Sequence, residues 1–422
     1  MSTLLVKSKK IGLFSIFSSY SINKFLSFLA NLLIVRLLSV DSYGIYGAVM
    51  NLYTLFTLFS GFGMGSSALI YGSEQRDPIQ KHAIFAYTFR WGLIGSFLQS
   101  VTFVLYVLFF PIGIAEMRSY ALYLFFLPVF SFTLSFIQIL FRTQQNNEMF
   151  ARLNTIQSVL TAFGTTIGAF WFGLSGLIII RYLTFFIPIV YGFSKLGYTK
   201  TIVPLSKKLK KEIWEFSIKS GLTSCLNQII CLLDVALIVQ LLKDPIMVAQ
   251  YKVATLIPDN LYFIPNTLMV ALVPLFSYHL ADSDWIRHSF KKIWLINFLG
   301  QLLLLLLLWN LGPFVLIKLW GTNYWDCIPC FRILCISYFF LAAFRLISTN
   351  LLAVYKKVTF NLVIAFLTCI LNIILDFILI PRFYMIGAAL ATCISVIFTS
   401  LLSFPYLTAF IFIKKGSKLT SS

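Results

Sequence analysis

Long apolar stretches alternate with short polar loops along the whole chain. Each stretch is close to the length of about 20 residues that an α-helix needs to cross the hydrocarbon core of a bilayer. The stretches cover residues 11–38, 44–71, 83–110, 119–141, 153–172, 176–194, 213–242, 247–278, 293–319, 329–355, 359–380 and 385–413. The pattern predicts an all-α polytopic membrane protein with twelve transmembrane helices.

Composition and charge agree with a membrane protein. Of the 422 residues, 59% are hydrophobic and 11% are charged, whereas an average soluble domain has about 25% charged residues. This excludes an ordinary soluble protein and a disordered chain. The net charge of +19 would suggest nucleic-acid binding in a soluble protein. In a membrane protein it indicates cytoplasmic loops, where Lys and Arg collect, so no nucleic-acid partner is expected.

The basic loop residues also predict the orientation. If the N-terminus is cytoplasmic and the helices alternate, nearly all loop Lys and Arg fall on the inner side. Only Arg118, Lys243 and Arg382 fall on the outer side. By the positive-inside rule, both termini are predicted to be cytoplasmic.

The longest loop predicts two halves. Residues 195–212 form a basic cytoplasmic linker between six helices in 1–194 and six in 213–422. Its piece SKKLKKEIWEFSIK suits an amphipathic helix on the inner leaflet or a solvated linker. The stretch NKFLSFLANLLIVRLL from Asn23 aligns with NQIICLLDVALIVQLL from Asn227, and Tyr46 and Tyr251 follow at aligned positions. Two parallel halves around a central cavity are a transporter plan.

Basic residues inside the predicted helices are candidate substrate ligands. A cation at the bilayer centre costs about 2.5–3.5 kcal/mol on the insertion scale, so these side chains should face a watery lumen. The alternatives are snorkelling from helix ends and hydrogen bonding between helices. A cationic lumen favours an anionic substrate, because Lys and Arg bind phosphate. The candidate lumen cations are Lys24, Arg90, Arg181, Lys219, Lys252 and Arg345.

Three acids inside the helices are candidates for ion coupling or for pairing with the cations: Asp234, Asp259 and Asp376. The coupling ion would be a proton or sodium. The three histidines lie in two separate loops, and the sequence contains no evident catalytic set, so neither a metal cluster, a cofactor nor an enzyme is expected. The C-x-x-C of Cys327 and Cys330 is either a disulfide or redox pair or a coincidence at a helix start.

Several stretches resemble one known family. They are LLIVRLLSVDSYGIYGAVMNL, GFGMGSSALIYGSE, the run from LLDVALIVQLL to VPLFS, and LNIILDFILIPRFYMIGAALATCIS. The last, from Leu371 to Ser395, is similar to the pattern LN-x-x-L-(N/D)-x-x-L-I-P-x-x-G-x-x-G-A-A-x-A-T, except that the first glycine, expected near Tyr384, is replaced. The resemblance is to the polysaccharide-transport branch of the multidrug/oligosaccharidyl-lipid/polysaccharide exporter superfamily.

This resemblance implies a bacterial O-antigen-type flippase in the inner membrane. Its substrate would be an undecaprenyl-diphosphate-linked oligosaccharide used for lipopolysaccharide, and its partners would include other polysaccharide-assembly membrane proteins. Lipid II flippases of the superfamily use basic residues on helices 1, 2 and 8. Lys24 and Lys252 match, but helix 2 offers only Asn51, which favours an O-antigen-type substrate. The alternatives are a multidrug exporter or another lipid-linked oligosaccharide exporter of the same superfamily, and a polytopic O-antigen polymerase or ligase.

Overall fold

The structure, a computed structural model, describes residues 13–73, 77–144, 146–196, 204–279, 282–355 and 357–412. Most of these residues are helical, and none of them forms a β-strand. The basic N-terminal residues before position 13 and the tail after position 412 lie outside the described part, as do residues 197–203 of the predicted linker.

The chain divides into two compact units, Met1–Leu232 and Leu233–Ser422. The helices that begin in the first unit are α1 Leu13–Leu37, α2 Val40–Thr57, α3 Met64–Ser73, α4 Pro78–Phe109, α5 Met117–Leu122, α6 Leu127–Thr143, α7 Asn147–Lys195 and α8 Lys207–Leu242. Helix α8 passes into the second unit, whose other helices are α9 Pro245–Leu261, α10 Phe263–Tyr278, α11 Ser283–Trp320, α12 Ile328–Phe340, α13 Leu346–Val354 and α14 Val358–Phe412.

Two very long helices are each a pair of helices joined by a sharp turn. A straight helix of the 49 residues of α7 would be about 74 Å long, far more than the hydrocarbon thickness of about 30 Å. The chain instead reverses at Gly173, with φ 57° and ψ −142°. Helix α14 reverses in the same way at Tyr384, with φ 55° and ψ −134°.

The predicted number of membrane helices is confirmed once these turns are counted. Six helices of the described residues are long and apolar enough to cross a membrane, and α7 and α14 each hold two of the predicted spans. Four other spans are each divided by a short break into two consecutive helices. These pairs are α2 and α3, α5 and α6, α9 and α10, and α12 and α13. With α1, α4, α8 and α11, the order reproduces the twelve predicted stretches.

The first turns of α8 are packed onto the first unit. The Ser206 hydroxyl accepts a hydrogen bond from the Leu209 amide and so caps the start of the helix. Ile213 is buried against Met64 and Ile84. Further along, the hydroxyls of Ser67 and Ser217 lie 2.7 Å apart. Helix α8 begins at Lys207, so residues 207–212 belong both to this helix and to the predicted linker.

The predicted orientation can be tested in whole cells. We expect a Ser206→Cys variant to resist a membrane-impermeant thiol reagent and a Lys243→Cys variant to react with it, because the positive-inside rule places these ends of α8 on opposite sides. Labelling would be compared before and after permeabilisation. Reaction of Ser206→Cys in intact cells would contradict the cytoplasmic position of the linker.

Candidate functional site

A buried group of oxygen-bearing side chains lies inside the second unit. Asp234 comes from α8, Asn372 and Asp376 come from the first arm of α14, and all three are at most 7% exposed. Asp234 interacts with both of the other side chains. We call Asp234, Asn372 and Asp376 the oxygen cluster. In a hydrocarbon environment, so much polar surface requires either internal partners or a bound ion.

Two neighbouring hydroxyls hold one side of the cluster. The Tyr251 hydroxyl on α9 donates a hydrogen bond of 2.6 Å to Asp234 Oδ2. The Thr392 hydroxyl on the second arm of α14 donates to the same oxygen. Asp234 Oδ2 is therefore satisfied by two donors, and this fixes the orientation of the carboxyl group.

Four other oxygens of the cluster are buried and unsatisfied. Asp234 Oδ1, Asn372 Oδ1 and both carboxyl oxygens of Asp376 have no hydrogen-bond partner among the described residues. Buried polar atoms are normally paired, and unpaired ones require an explanation. These four acceptors, three carboxyl oxygens and one amide oxygen, form a set of ligands suited to a hard cation, and the two carboxyl groups could also share a proton.

The chain positions these groups by helix period and by the turn of α14. Asn372 and Asp376 are four residues apart and so share one helix face. The turn at Tyr384 brings the second arm back along the first. A side chain at Gly387 would collide with the carbonyl oxygen of Leu379, so only glycine allows the two arms to approach this closely. Thr392 then lies beside Asp234.

The first unit has a corresponding site with the opposite charge. Gly173 and Tyr384 lie 211 residues apart, and so do Arg181 and Thr392, each eight residues after its turn. Arg181 Nη2 donates a hydrogen bond of 2.5 Å to the hydroxyl of Tyr46, the counterpart of Tyr251. The guanidinium carbon also lies 5.7 Å from the centroid of the Tyr46 ring, within the range of a cation–π contact.

The first unit has no carboxylate at the two positions that correspond to Asp234 and Asp376. In the alignment that pairs Asn23 with Asn227, Asp234 corresponds to Ala30. In the alignment that pairs Gly173 with Tyr384, Asp376 corresponds to Thr165. Tyr46 therefore contacts a guanidinium, where Tyr251 contacts a carboxyl group. The Nε of Arg181 is buried and has no hydrogen-bond partner in the described chain, so the half-buried guanidinium retains a free donor.

The other predicted cations differ in their surroundings. Lys24, Arg90 and Lys219 are exposed, and Lys252 and Arg345 are half-buried. Lys252 interacts electrostatically with Asp234 on α8 and with Asp259, which lies two turns after Lys252 on α9. Asp259 itself is exposed. Of the three acids, the structure thus brings Asp234 and Asp376 together and places Asp259 apart from them. The predicted central cavity stays a prediction.

Arg345 lies in an unusual helical turn. Residues Leu341–Arg345 form a single π-helical turn between α12 and α13. Such turns are rare in proteins overall, and those that occur often lie at functional sites. Within this turn, the Ala342 carbonyl accepts a hydrogen bond of 3.0 Å from the side chain of Asn297 on α11. The turn is therefore held in place from a neighbouring helix.

The sequence predicted no site role for Tyr46, Tyr251, Asn372 and Thr392, although each lies in a stretch that resembles the family. Asn372, Asp376 and Thr392 are the polar positions of the pattern that runs from LN to AT. Their convergence on Asp234, which lies outside this pattern, depends on the packing of α8 against α14. Cys327 and Cys330 are both free and buried, so no disulfide joins them.

Comparisons with known proteins agree with the fold. A family model described as polysaccharide biosynthesis protein matches residues 10–279. No curated protein matches the chain. The structure is similar to that of the lipid II flippase MurJ in an inward closed conformation, with 17% sequence identity and a TM-score of 0.72, over 95% of this chain and 87% of the other.

Two further solved structures have the same fold. An inward-facing multidrug resistance MATE family transporter of the MOP superfamily is 15% identical, with a TM-score of 0.69, over 93% of this chain and 97% of its own. A MOP superfamily transporter from Pyrococcus furiosus, whose binding pocket is described as having reverse polarity, is 15% identical, with a TM-score of 0.60, over 96% of both chains. These likenesses confirm a transporter fold.

Proposed function

Because the chain belongs to the polysaccharide biosynthesis protein family, we propose that it is a flippase for undecaprenyl-diphosphate-linked O-antigen or related repeat units. The fold supports transport rather than catalysis, since it is shared with flippases and exporters. The substrate would move from the inner to the outer leaflet of the bacterial inner membrane by alternating access of the two halves. Both termini would stay in the cytoplasm.

The observation that carries the substrate proposal is the half-buried guanidinium of Arg181. Its hydrogen bond to Tyr46 fixes its position, and its buried Nε–H remains available. A diphosphate cannot cross hydrocarbon with its charge exposed, and guanidinium groups replace its hydration by charge-assisted hydrogen bonds. The polyprenyl tail is apolar and would remain in the bilayer. Lys24, Arg90, Lys219, Lys252 and Arg345 are proposed to assist along the path.

The oxygen cluster is proposed to couple transport to a cation. Four buried acceptors without partners among the described residues suit a sodium ion, and two adjacent carboxyl groups also suit a shared proton. Lys252 interacts with Asp234, so the occupancy of the cluster would influence the nearest lumen cation.

Reconstituted transport tests this function. Purified protein in liposomes would be given an undecaprenyl-diphosphate-linked oligosaccharide with a fluorescent sugar, and accessibility to an impermeant quencher would report its leaflet. We expect movement that depends on a proton or sodium gradient. A cationic dye would be assayed in parallel. Export of the dye without movement of the glycolipid would support the multidrug alternative and contradict the proposal.

Substitution of two predicted lumen cations provides a second prediction. We expect Lys24→Ala and Arg345→Ala each to reduce export about tenfold, because each would remove one charge-assisted hydrogen bond to the diphosphate, worth about 1.5 kcal/mol at a site open to water. Lys24→Arg and Arg345→Lys should retain more export than the Gln variants at the same positions. Surface glycan would be measured by gel and normalised to membrane-inserted protein. Unchanged export after neutralising Lys24, Arg181, Lys252 and Arg345 together would exclude a cationic path.

A further inference from the structure

A buried tyrosine hydroxyl lies close to Arg181 in the first unit. Tyr53 on α2 is 7% exposed, and its side chain interacts with Ser131 on α6 and with the charge of Arg181 on α7. Its hydroxyl nevertheless has no hydrogen-bond partner at bonding distance and angle among the described residues. Because buried hydroxyl groups are normally paired, this one requires an explanation.

The helix period directs Tyr53 and Tyr46 to the same side of α2. They are seven residues apart, which is close to two helical turns. The Tyr46 hydroxyl accepts a hydrogen bond from Arg181 Nη2, so this side of α2 lies along the second arm of α7. Arg181 therefore has a phenol group on this helix at each of two turns, and its buried Nε–H is bonded to neither. We call Tyr53, Ser131 and Arg181 the donor cluster.

The adjacent tyrosine, Tyr182, shows how a structural hydroxyl is satisfied in this unit. Its hydroxyl donates a hydrogen bond of 2.7 Å to the Tyr123 carbonyl and accepts one of 3.2 Å from the Phe126 amide. The protein itself therefore uses both the donor and the acceptor of Tyr182. Tyr53 differs, because it is more deeply buried than Tyr182 and its hydroxyl is unpaired within the described chain.

The second unit lacks the Tyr53 hydroxyl at the corresponding position. In the alignment that pairs Tyr46 with Tyr251, Tyr53 corresponds to Pro258, which has no side-chain donor. The additional phenol thus accompanies the guanidinium of Arg181 and has no counterpart beside the carboxyl groups of the oxygen cluster. A guanidinium has donors only, and a phenol can donate to the same acceptor. This combination favours an anionic ligand in the first unit.

We propose that the donor cluster binds a phosphoryl group of the substrate and that Tyr53 selects for a phosphorylated lipid; this inference rests on the proposed flippase function. The Tyr53 hydroxyl and Arg181 Nε–H would donate to one phosphoryl oxygen, and the Ser131 hydroxyl would donate to the same phosphate. An anionic oxygen accepts such bonds strongly, because they are charge-assisted. A sugar hydroxyl or an unphosphorylated polyprenol brings no charge to balance the guanidinium.

Binding of a short phosphorylated lipid tests the role of Tyr53. Farnesyl diphosphate has a diphosphate on a polyprenyl chain, and farnesol has the same chain without phosphate. Calorimetric titration of the purified protein in detergent would measure both. We expect Tyr53→Phe to weaken binding of farnesyl diphosphate about tenfold and to leave farnesol binding unchanged. Tyr106→Phe is the matched control, because its ring also packs against α2, on Phe56, and it should change neither affinity.

Three results would overturn the proposal: no binding of farnesyl diphosphate by the wild-type protein, equal affinity in Tyr53→Phe, or an equal loss of farnesol binding, which would show a structural role. Displacement of farnesyl diphosphate by an equal concentration of dioleoylphosphatidylglycerol would assign the site to bilayer phospholipids and also contradict it.

This assay requires neither a sugar nor transport, so it is independent of the glycolipid assay in liposomes. Loss of diphosphate affinity in Tyr53→Phe without glycolipid movement by the wild-type protein would reject the flippase function and retain the phosphate site. Glycolipid movement with unchanged diphosphate affinity in Tyr53→Phe would reject the role of Tyr53 alone.

Discussion

Replacing either buried carboxylate with asparagine is expected to reduce transport about tenfold to a hundredfold. Asp234 and Asp376 supply three of the four unpaired acceptors of the oxygen cluster, and each change removes the charge that would hold a cation or proton. Losing one charge-assisted contact in a buried site costs about 1.5–3 kcal/mol, which lowers the affinity for the coupling ion about tenfold to a hundredfold. Gradient-driven movement of the labelled glycolipid in liposomes would measure it.

Asp259→Asn is the matched control for this experiment. Asp259 is also an acid in a membrane helix, but it is exposed and does not belong to the cluster. Because Asp259 interacts with Lys252 but not with the cluster, export should fall much less in this variant than in the two cluster variants. Thr392→Val should have an intermediate effect, because it removes one of the two hydroxyls that orient Asp234. Full export by both Asp variants would show that the carboxyl groups are tolerated polar groups without a role in coupling.

The largest effect on folding is expected at the glycines beside the two sharp turns. A Cβ at Gly176 would collide with the carbonyl oxygen of Gly168, and one at Gly387 would collide with that of Leu379. The obstacle is backbone, which cannot move aside as a side chain can. We therefore expect Gly176→Ala and Gly387→Ala each to destabilise the protein by about 3 kcal/mol or more.

Gly300→Ala is the control for these variants. Gly300 is also within a membrane helix, but nothing lies within 4 Å of the position that its Cβ would occupy. Because alanine favours helix by about 1 kcal/mol over glycine, this variant should be neutral or slightly stabilised. The midpoint of heat-induced unfolding in detergent, followed by fluorescence size exclusion, would compare the three. Equal stability of all three would mean that the helix arms are farther apart than the structure places them.

Helix number and most helix ends could be predicted from the sequence because the bilayer sets the length of each apolar stretch. The predicted gaps at 173–175 and 381–384 coincide with the turns at Gly173 and Tyr384. The left-handed backbone of Tyr384 also explains why a glycine is expected there, since glycine adopts positive φ without strain. That positive φ is visible only in the structure.

The site was less accessible to sequence reasoning. Periodicity assigns Asp234 and Asp376 to particular helix faces, but it does not tell which of the twelve helices are neighbours. The two acids are 142 positions apart, and the contact depends on the packing of α8 against α14. The sequence also places Asn372 on one helix face with Asp376, but it does not show that the carbonyl oxygen of Asn372 lies unpaired beside two carboxyl groups. Asp259 is as prominent in the sequence as Asp234 and Asp376, but it is exposed and lies apart from the cluster.

The matching turns at Gly173 and Tyr384 have an evolutionary consequence. Two reversals with nearly the same φ and ψ, 211 residues apart and each followed three residues later by a glycine against the opposite arm, are what the duplication and fusion of a six-helix gene leaves behind. After such a fusion each copy accumulates mutations independently. Independent change of the two copies would account for an arginine in one unit and two carboxylates in the other, a division of charge that two identical copies would not have.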